Sequence, residues 1–115
     1  MPSSPPVSAD CPVDLDHLKR MTSGEQGLER EVLQLFLKQT SRLVAALESL
    51  PAETGALSHT LKGSARAIGA FRLADSAAAL EEAACQGRDS SAELAAVHMA
   101  VAEARAAIEA LLRHS

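Results

Sequence analysis

The sequence predicts an all-α protein, an antiparallel up-down-up-down four-helix bundle with a short capping helix at its N-terminus. Alanine dominates the 115 residues, which include two Phe and neither Trp nor Tyr, whereas strands favour aromatic and β-branched residues. Apolar residues recur with the helical period in several segments. Glycine or proline separates those segments, which indicates long helices joined by short loops. A chain of this length is expected to form one domain.

The N-terminal residues carry the strongest loop signal in the chain. Residues 1–12 hold four of the five prolines and are predicted to form a disordered tail. The folded domain is then expected over residues 13–115. A short first helix should run from Asp14, which can cap it, to Met21. Its predicted apolar edge consists of Leu15, Leu18 and Met21.

The longest predicted helix follows the break at Thr22-Ser23-Gly24. It should run from about Gln26 to Leu50, where Pro51 stops it. Its broad apolar face favours burial against several neighbours. That face consists of Val32, Leu35, Phe36, Leu43, Val44, Leu47 and Leu50.

The next two helices form a predicted hairpin. The third should begin near Thr54 and end at Gly69, where a left-handed residue without a Cβ is preferred. The fourth should run from about Phe71 to Gln86, with Gly87 closing it. The two apolar stripes consist of Leu57, Leu61, Ser64, Ala65 and Ile68, and of Leu73, Ala77, Leu80 and Ala84.

The fifth helix is predicted from about Ser91 to Leu112. Its apolar residues follow a 3-4-3-4-3 spacing, which is typical of the seam of an antiparallel bundle. They are Leu94, Val97, Val101, Ala104, Ile108 and Leu111.

Composition excludes several classes of function. The formal charge of −4 argues against nucleic-acid binding, which selects for basic surfaces. No apolar run approaches the roughly 18 residues of a membrane span, and no export signal is evident at the N-terminus. The two cysteines, Cys11 and Cys85, form no disulfide framework or metal motif. A cytoplasmic protein is therefore expected.

One exposed histidine stands out on the third helix. His59 lies about 180° from the centre of the apolar stripe, with Lys62 and Arg66 on the same outer face. Gly55 and Gly63 lie one turn before and one turn after it. Each glycine costs roughly 1 kcal/mol relative to alanine within a helix, so open space for a large partner would explain the pair. The alternatives are a histidine that is simply solvated or part of the core, and glycines that serve close helix packing.

The segment around His59 resembles the histidine phosphotransfer (HPt) domain family of bacterial multistep phosphorelays. The family signature is H-x-L-K-G-x-[AS], with G-A a few residues further on. The matching residues are His59, Leu61, Lys62, Gly63, Ser64, Ala65, Gly69, Ala70 and Leu73. Ser58 stands where the family more often has alanine. The resemblance is most specific over Ala56 to Glu81 and extends over Asp14 to Leu112.

The resemblance implies a phosphocarrier without kinase activity of its own. His59 would accept a phosphoryl group and pass it to or from the aspartates of response-regulator receiver domains, and a hybrid sensor histidine kinase is a further expected partner. Mg²⁺ would be bound by the receiver domain, and this chain, expected to be a monomer, would hold no cofactor or metal. Lys62 would offset part of the charge of the phosphoryl group. Arg66 could do the same, could contact the partner, or could simply face solvent.

Glu81 is the predicted partner of the imidazole. His59 lies eleven residues before Ala70 and Glu81 eleven after it, so in a hairpin that turns at Gly69-Ala70 the two should be level. Glu81 also lies at the edge of the apolar stripe of the fourth helix, whereas Glu82 points to solvent. A carboxylate that accepts from one ring nitrogen would orient the other for attack. Glu81 also occupies the family position that often hydrogen-bonds the imidazole. The alternative is that Glu81 is one more surface carboxylate.

Two other functions are compatible with a helical bundle of this kind. The first is a non-catalytic helical module that binds and regulates a kinase or response regulator. The second is a metal site within the bundle, which is disfavoured because no inward Glu-x-x-His pair occurs. Neither a P-loop nor an acidic cluster for Mg²⁺ is present. His17, His98 and His114 lack a comparable context, and His98 is expected to be structural.

Overall fold

The computed structural model describes residues 12–113. The prediction of an all-helical protein is confirmed, because this part of the chain forms five α-helices, one 3₁₀ turn and no strand. All of the predicted tail except Pro12 lies outside the described residues. The elements are α1 (Leu15–Met21), α2 (Gln26–Ser49), a 3₁₀ turn (Pro51–Glu53), α3 (Thr54–Ile68), α4 (Phe71–Cys85) and α5 (Ser91–Arg113).

The turn between α3 and α4 is fixed by glycine and by the start of α1. Gly69 adopts φ +87° and caps α3 in the left-handed conformation, as the sequence predicts. The Asp14 backbone N–H donates to the Gly69 carbonyl at 2.8 Å, and its side chain caps α1 by accepting from the His17 backbone at 3.2 Å. The His17 ring also donates from Nε2 to the Ala67 carbonyl at 3.2 Å. These bonds attach α1 to the end of α3.

The four longer helices pack around one core. α3 lies against α4 over most of its length, α4 lies against α5, and α2 contacts both α3 and α5. The largest fully buried apolar side chains come from α1, α3, α4 and α5. They include Leu18, Leu61, Leu73, Leu80, Val97 and Ile108. Among the helices of residues 12–113, none has the length and apolar character needed to cross a membrane.

The predicted apolar face of α2 is wrong at two positions. Leu35 is 60% exposed and Leu50 is 45% exposed, whereas Leu33 and Thr40 are buried. The buried stripe passes through Phe36, and Leu35 is rotated from it by about 100° toward solvent. The sequence pattern shows that the apolar face of α2 is wide, but it does not show how much of that face the neighbouring helices cover.

Two smaller differences concern α1 and α3. Leu15 and Met21 are more than two-fifths exposed, so Leu18 alone anchors α1 as a buried helix residue. Ser58 is fully buried, and its hydroxyl donates to the Thr54 carbonyl at 2.6 Å. That bond satisfies a polar group that would otherwise be costly to bury.

Candidate functional site

His59 projects from the solvent side of α3. Its side chain is 69% exposed, whereas Ser58, Leu61, Ala65 and Ile68 form the buried face of the same helix. The outward orientation follows from the helical phase, as the sequence predicts. The alternative of a core histidine is thereby ruled out.

The Glu81 carboxylate joins His59 to Lys62. Glu81 Oε2 lies 2.9 Å from His59 Nδ1, and Glu81 Oε1 accepts from Lys62 Nζ at 2.7 Å. The predicted pairing of His59 with Glu81 across the hairpin is therefore observed. Glu82, its neighbour, is exposed and instead accepts from the side chain of Gln86 at 3.3 Å.

The charge of Glu81 fixes the roles of the two ring nitrogens. The hydrogen bond from Lys62, with that from His59 and the charges of both, lowers the pKa of the Glu81 carboxyl below its ordinary value of 4.5, against an opposing effect of desolvation. An ionised carboxylate can only accept, so His59 Nδ1 must carry the hydrogen. In the neutral ring Nε2 then holds the available lone pair. The arrangement presents an exposed nucleophile on an oriented imidazole.

The two glycines beside His59 leave the ring accessible. A Cβ built on Gly63 would meet nothing within 4 Å, and one built on Gly55 would meet only the Ala84 Cβ at 3.9 Å. Close packing therefore requires neither glycine. Arg66 is exposed one turn beyond Lys62, and its side chain makes no hydrogen bond or ion pair with the described residues.

An open groove of about 980 Å³ runs beside the ring. The first turn of α3, with Gly55, forms one wall and the end of α4, with Cys85, forms the other. Arg88 also lines the groove and lies 3.7 Å from Glu93. Sequence reasoning missed Cys85 and Arg88 here, although Cys85 lies one helical turn after Glu81 and so shares its face.

The other two histidines of the described residues make contacts elsewhere. His98 Nε2 lies 3.4 Å from Glu48 Oε2, while the His17 ring packs edge-on against Phe71, with ring centres 5.2 Å apart. His114 lies outside the described residues. Residues 12–113 contain no group of three or more His, Cys, Asp or Glu that could hold a metal ion.

Comparison with known proteins identifies the family. No curated protein sequence and no solved structure gives a match. The family model described as "Hpt domain" matches residues 31–114, a range that covers most of the chain and includes His59, Lys62 and Glu81. The chain therefore belongs to the Hpt domain family.

Proposed function

We propose that this protein is a phosphocarrier of a multistep phosphorelay. His59 accepts a phosphoryl group from the aspartate of one receiver domain, or from a sensor kinase, and passes it to the aspartate of another receiver. Membership of the Hpt domain family supports histidine phosphotransfer in general. The observation that carries the assignment to His59 is the 2.9 Å contact of its Nδ1 with Glu81, which leaves Nε2 as the exposed nucleophile.

The transfer needs little from the carrier beyond this nucleophile. The Nε2 lone pair attacks phosphorus, the bond from phosphorus to the aspartyl oxygen breaks, and the aspartate leaves as a carboxylate. Nδ1 keeps its hydrogen on Glu81, which stabilises the positive charge that the ring gains. Positioning and neutralisation of the phosphoryl oxygens, usually by a metal, dominate such reactions, and Mg²⁺ on the receiver domain would supply that part. That Lys62 or Arg66 offsets part of the negative charge of the phosphoryl group stays a prediction.

We also propose that residues 13–115 form a single up-down-up-down antiparallel bundle that acts as a monomer. Contacts between helices support the antiparallel order. Arg72 at the start of α4 lies 3.3 Å from Glu103 in the second half of α5, whereas the pair of Arg88 with Glu93 joins the opposite ends. Early residues of one helix thus meet late residues of the other. The pairing of Glu48 with His98, and of Ser41 with Arg105, follows the same order between α2 and α5.

The test is incubation with a panel of receiver domains charged with labelled phosphoryl groups. The parent should take up acid-labile label from at least one receiver. His59→Gln should take up none and should keep the helicity and melting of the parent, because a side chain this exposed adds little to the core. Label that persists on a histidine of His59→Gln would refute the assignment. A parent that binds receivers without taking up label would instead be an interaction module.

A further inference from the structure

We propose that Arg88 is a specificity-determining residue, which pairs with an acidic side chain that the receiver domain places in the groove beside His59. The proposal rests on the proposed function, because it names a residue that selects the receiver. Arg88 acts in the encounter of the two proteins and not in the chemical step. Its role can therefore be measured by binding, without any transfer.

The turn that follows α4 holds Arg88 beside the groove. Gly87 adopts φ +67°, and its backbone N–H donates to the Ala84 carbonyl at 3.1 Å. The Arg88 backbone N–H donates to the Ala83 carbonyl at 3.0 Å. These two bonds form the Schellman motif, in which the position of Arg88 frequently carries an apolar residue that packs on the last turn of the helix. An exposed arginine here departs from that local rule, and such departures are expected at functional sites.

The guanidinium of Arg88 is accessible to a partner. Its side chain is 49% exposed, and its Nε donates to the side-chain oxygen of Gln86. The Glu93 carboxylate lies 3.7 Å from Nη1, which is beyond the distance of a hydrogen bond. A guanidinium has five N–H donors, and those on the two terminal nitrogens make no hydrogen bond to the described residues. Glu93 thus attracts the charged group without occupying its donors.

The charges of the groove favour an acidic partner residue at Arg88. Among the described residues that line the groove, Arg88 is the only lysine or arginine. Of the two carboxylates there, Glu81 is paired with Lys62 at 2.7 Å, and Glu53 precedes the first turn of α3, which forms the other wall. A guanidinium can only donate, and a carboxylate is an acceptor that matches its planar fork. The receiver residue at this position is therefore expected to be Asp or Glu.

Loss of Arg88 should weaken the encounter and leave the chemical step unchanged. Arg88→Met should raise the KM for the receiver by about two- to fivefold, the range of an exposed charge pair. An unchanged kcat would mark the loss of binding that is equal in the ground state and the transition state. Arg88→Glu brings like charges together and should raise KM by about tenfold or more. Phosphoramidate, a small phosphoryl donor without a protein surface, should label the parent and both variants at equal rates.

Arg72 offers a matched control on the same pair of helices. Its side chain is also 49% exposed and lies 3.3 Å from the carboxylate of Glu103, but Arg72 stands at the start of α4 and does not line the groove. Arg72→Met removes the same charge and should leave KM unchanged. Salt screens a pair of exposed charges, so the affinity for the receiver should fall less steeply with added salt in Arg88→Met than in the parent or in Arg72→Met.

The experiment measures the binding of unphosphorylated receiver domains by titration calorimetry, and the transfer of label from the same receivers once they are charged. The proteins are the parent, Arg88→Met, Arg88→Glu and Arg72→Met. In the receiver that the parent binds most tightly, each surface Asp and Glu is then replaced by Lys in turn. One of these replacements should restore binding to Arg88→Glu, because residues in direct contact are coupled whereas distant ones act independently.

Equal affinity of the parent and Arg88→Met for every receiver that binds would overturn the proposal. Slower labelling of Arg88→Met by phosphoramidate would also overturn it, since Arg88 would then act in the chemical step or in the fold. If receivers bind with the expected dependence on Arg88 but transfer no label, the proposed function fails and the docking role of Arg88 stands. Transfer that is independent of Arg88 has the opposite meaning, and a parent that binds no receiver would refute both.

Discussion

His59 and Glu81 lie 22 positions apart in the chain, yet His59 Nδ1 and Glu81 Oε2 are 2.9 Å apart across α3 and α4. The contact joins an imidazole that is mostly in solvent to a carboxylate that is mostly covered. It gives the ring a defined donor nitrogen while the opposite nitrogen stays accessible. The orientation of the ring at this surface therefore depends on a residue from the neighbouring helix.

Loss of the Glu81 carboxylate should slow phosphoryl transfer without abolishing it. Glu81→Ala removes a charged hydrogen bond to the ring, and such bonds are worth enough to change a rate by roughly tenfold or more. His59 remains as the acceptor, so some transfer should persist. Stopped-flow or time-resolved labelling from a charged receiver measures the rate. Glu82→Ala, which removes the exposed neighbouring carboxylate, is the matched control. Equal rates for Glu81→Ala and the parent would show that the contact does not assist transfer.

The stability contributed by Glu81 should depend on pH in the acid range. Its folded pKa is lowered from 4.5, chiefly by the hydrogen bond from Lys62. A lowered carboxyl pKa contributes stability that is fully present above the unfolded pKa, and this is lost as pH falls through the folded one. Glu81→Gln mimics the protonated form, so the parent should be the more stable at neutral pH, and the difference should shrink as the pH falls below 4.5. Urea unfolding at several pH values measures it, and a difference that is constant with pH would contradict the assignment.

A large side chain in place of Gly63 should stabilise the fold and yet slow phosphoryl transfer. Gly63→Gln meets open space and should stabilise α3 by about 0.5 kcal/mol through helix propensity. It should also obstruct a partner that approaches His59, so that transfer slows at least tenfold. The control is Gly27→Gln, which is equally open but lies at the start of α2. Transfer at the parental rate in Gly63→Gln would show that the partner does not need this space.

Gly69 should tolerate substitution far less than Gly87. Both have positive φ, but a Cβ on Gly69 would lie 2.8 Å from the Asp14 carbonyl oxygen, whereas one on Gly87 would meet nothing within 4 Å. Gly87→Ala should therefore cost only the left-handed backbone penalty of about 1–2 kcal/mol. Gly69→Ala should cost clearly more, because α1 must also move away from the turn. Denaturant unfolding of both variants gives the comparison. Equal losses of unfolding free energy would mean that the contact with α1 contributes nothing.

The sequence predicts most of this site because its geometry is periodic. The outward direction of His59 follows from the apolar stripe on α3. His59 and Glu81 lie at the same height along the hairpin because each is eleven residues from Ala70. The pairing of Lys62 with Glu81 could not be predicted in this way. A lysine has a long flexible stem, so its helical phase does not fix which neighbour its ammonium reaches.

The errors in the predicted core have a similar origin. Leu35 belongs to an apolar face that is wider than its neighbours cover, so its exposure depends on where the other helices lie. Ser58 shows the converse, since a polar residue occupies a buried position because its hydroxyl bonds within its own helix. Both outcomes depend on local packing that periodicity does not contain.

The most direct test of the central claim is the identification of the phosphorylated atom. The parent should be phosphorylated from a charged receiver and its histidine rings examined by ¹⁵N and ³¹P NMR under alkaline conditions. Since Glu81 occupies Nδ1, the phosphoryl group should be found on Nε2 of His59. A phosphoryl group on Nδ1 of His59, on another histidine, or on no histidine would contradict the proposed site.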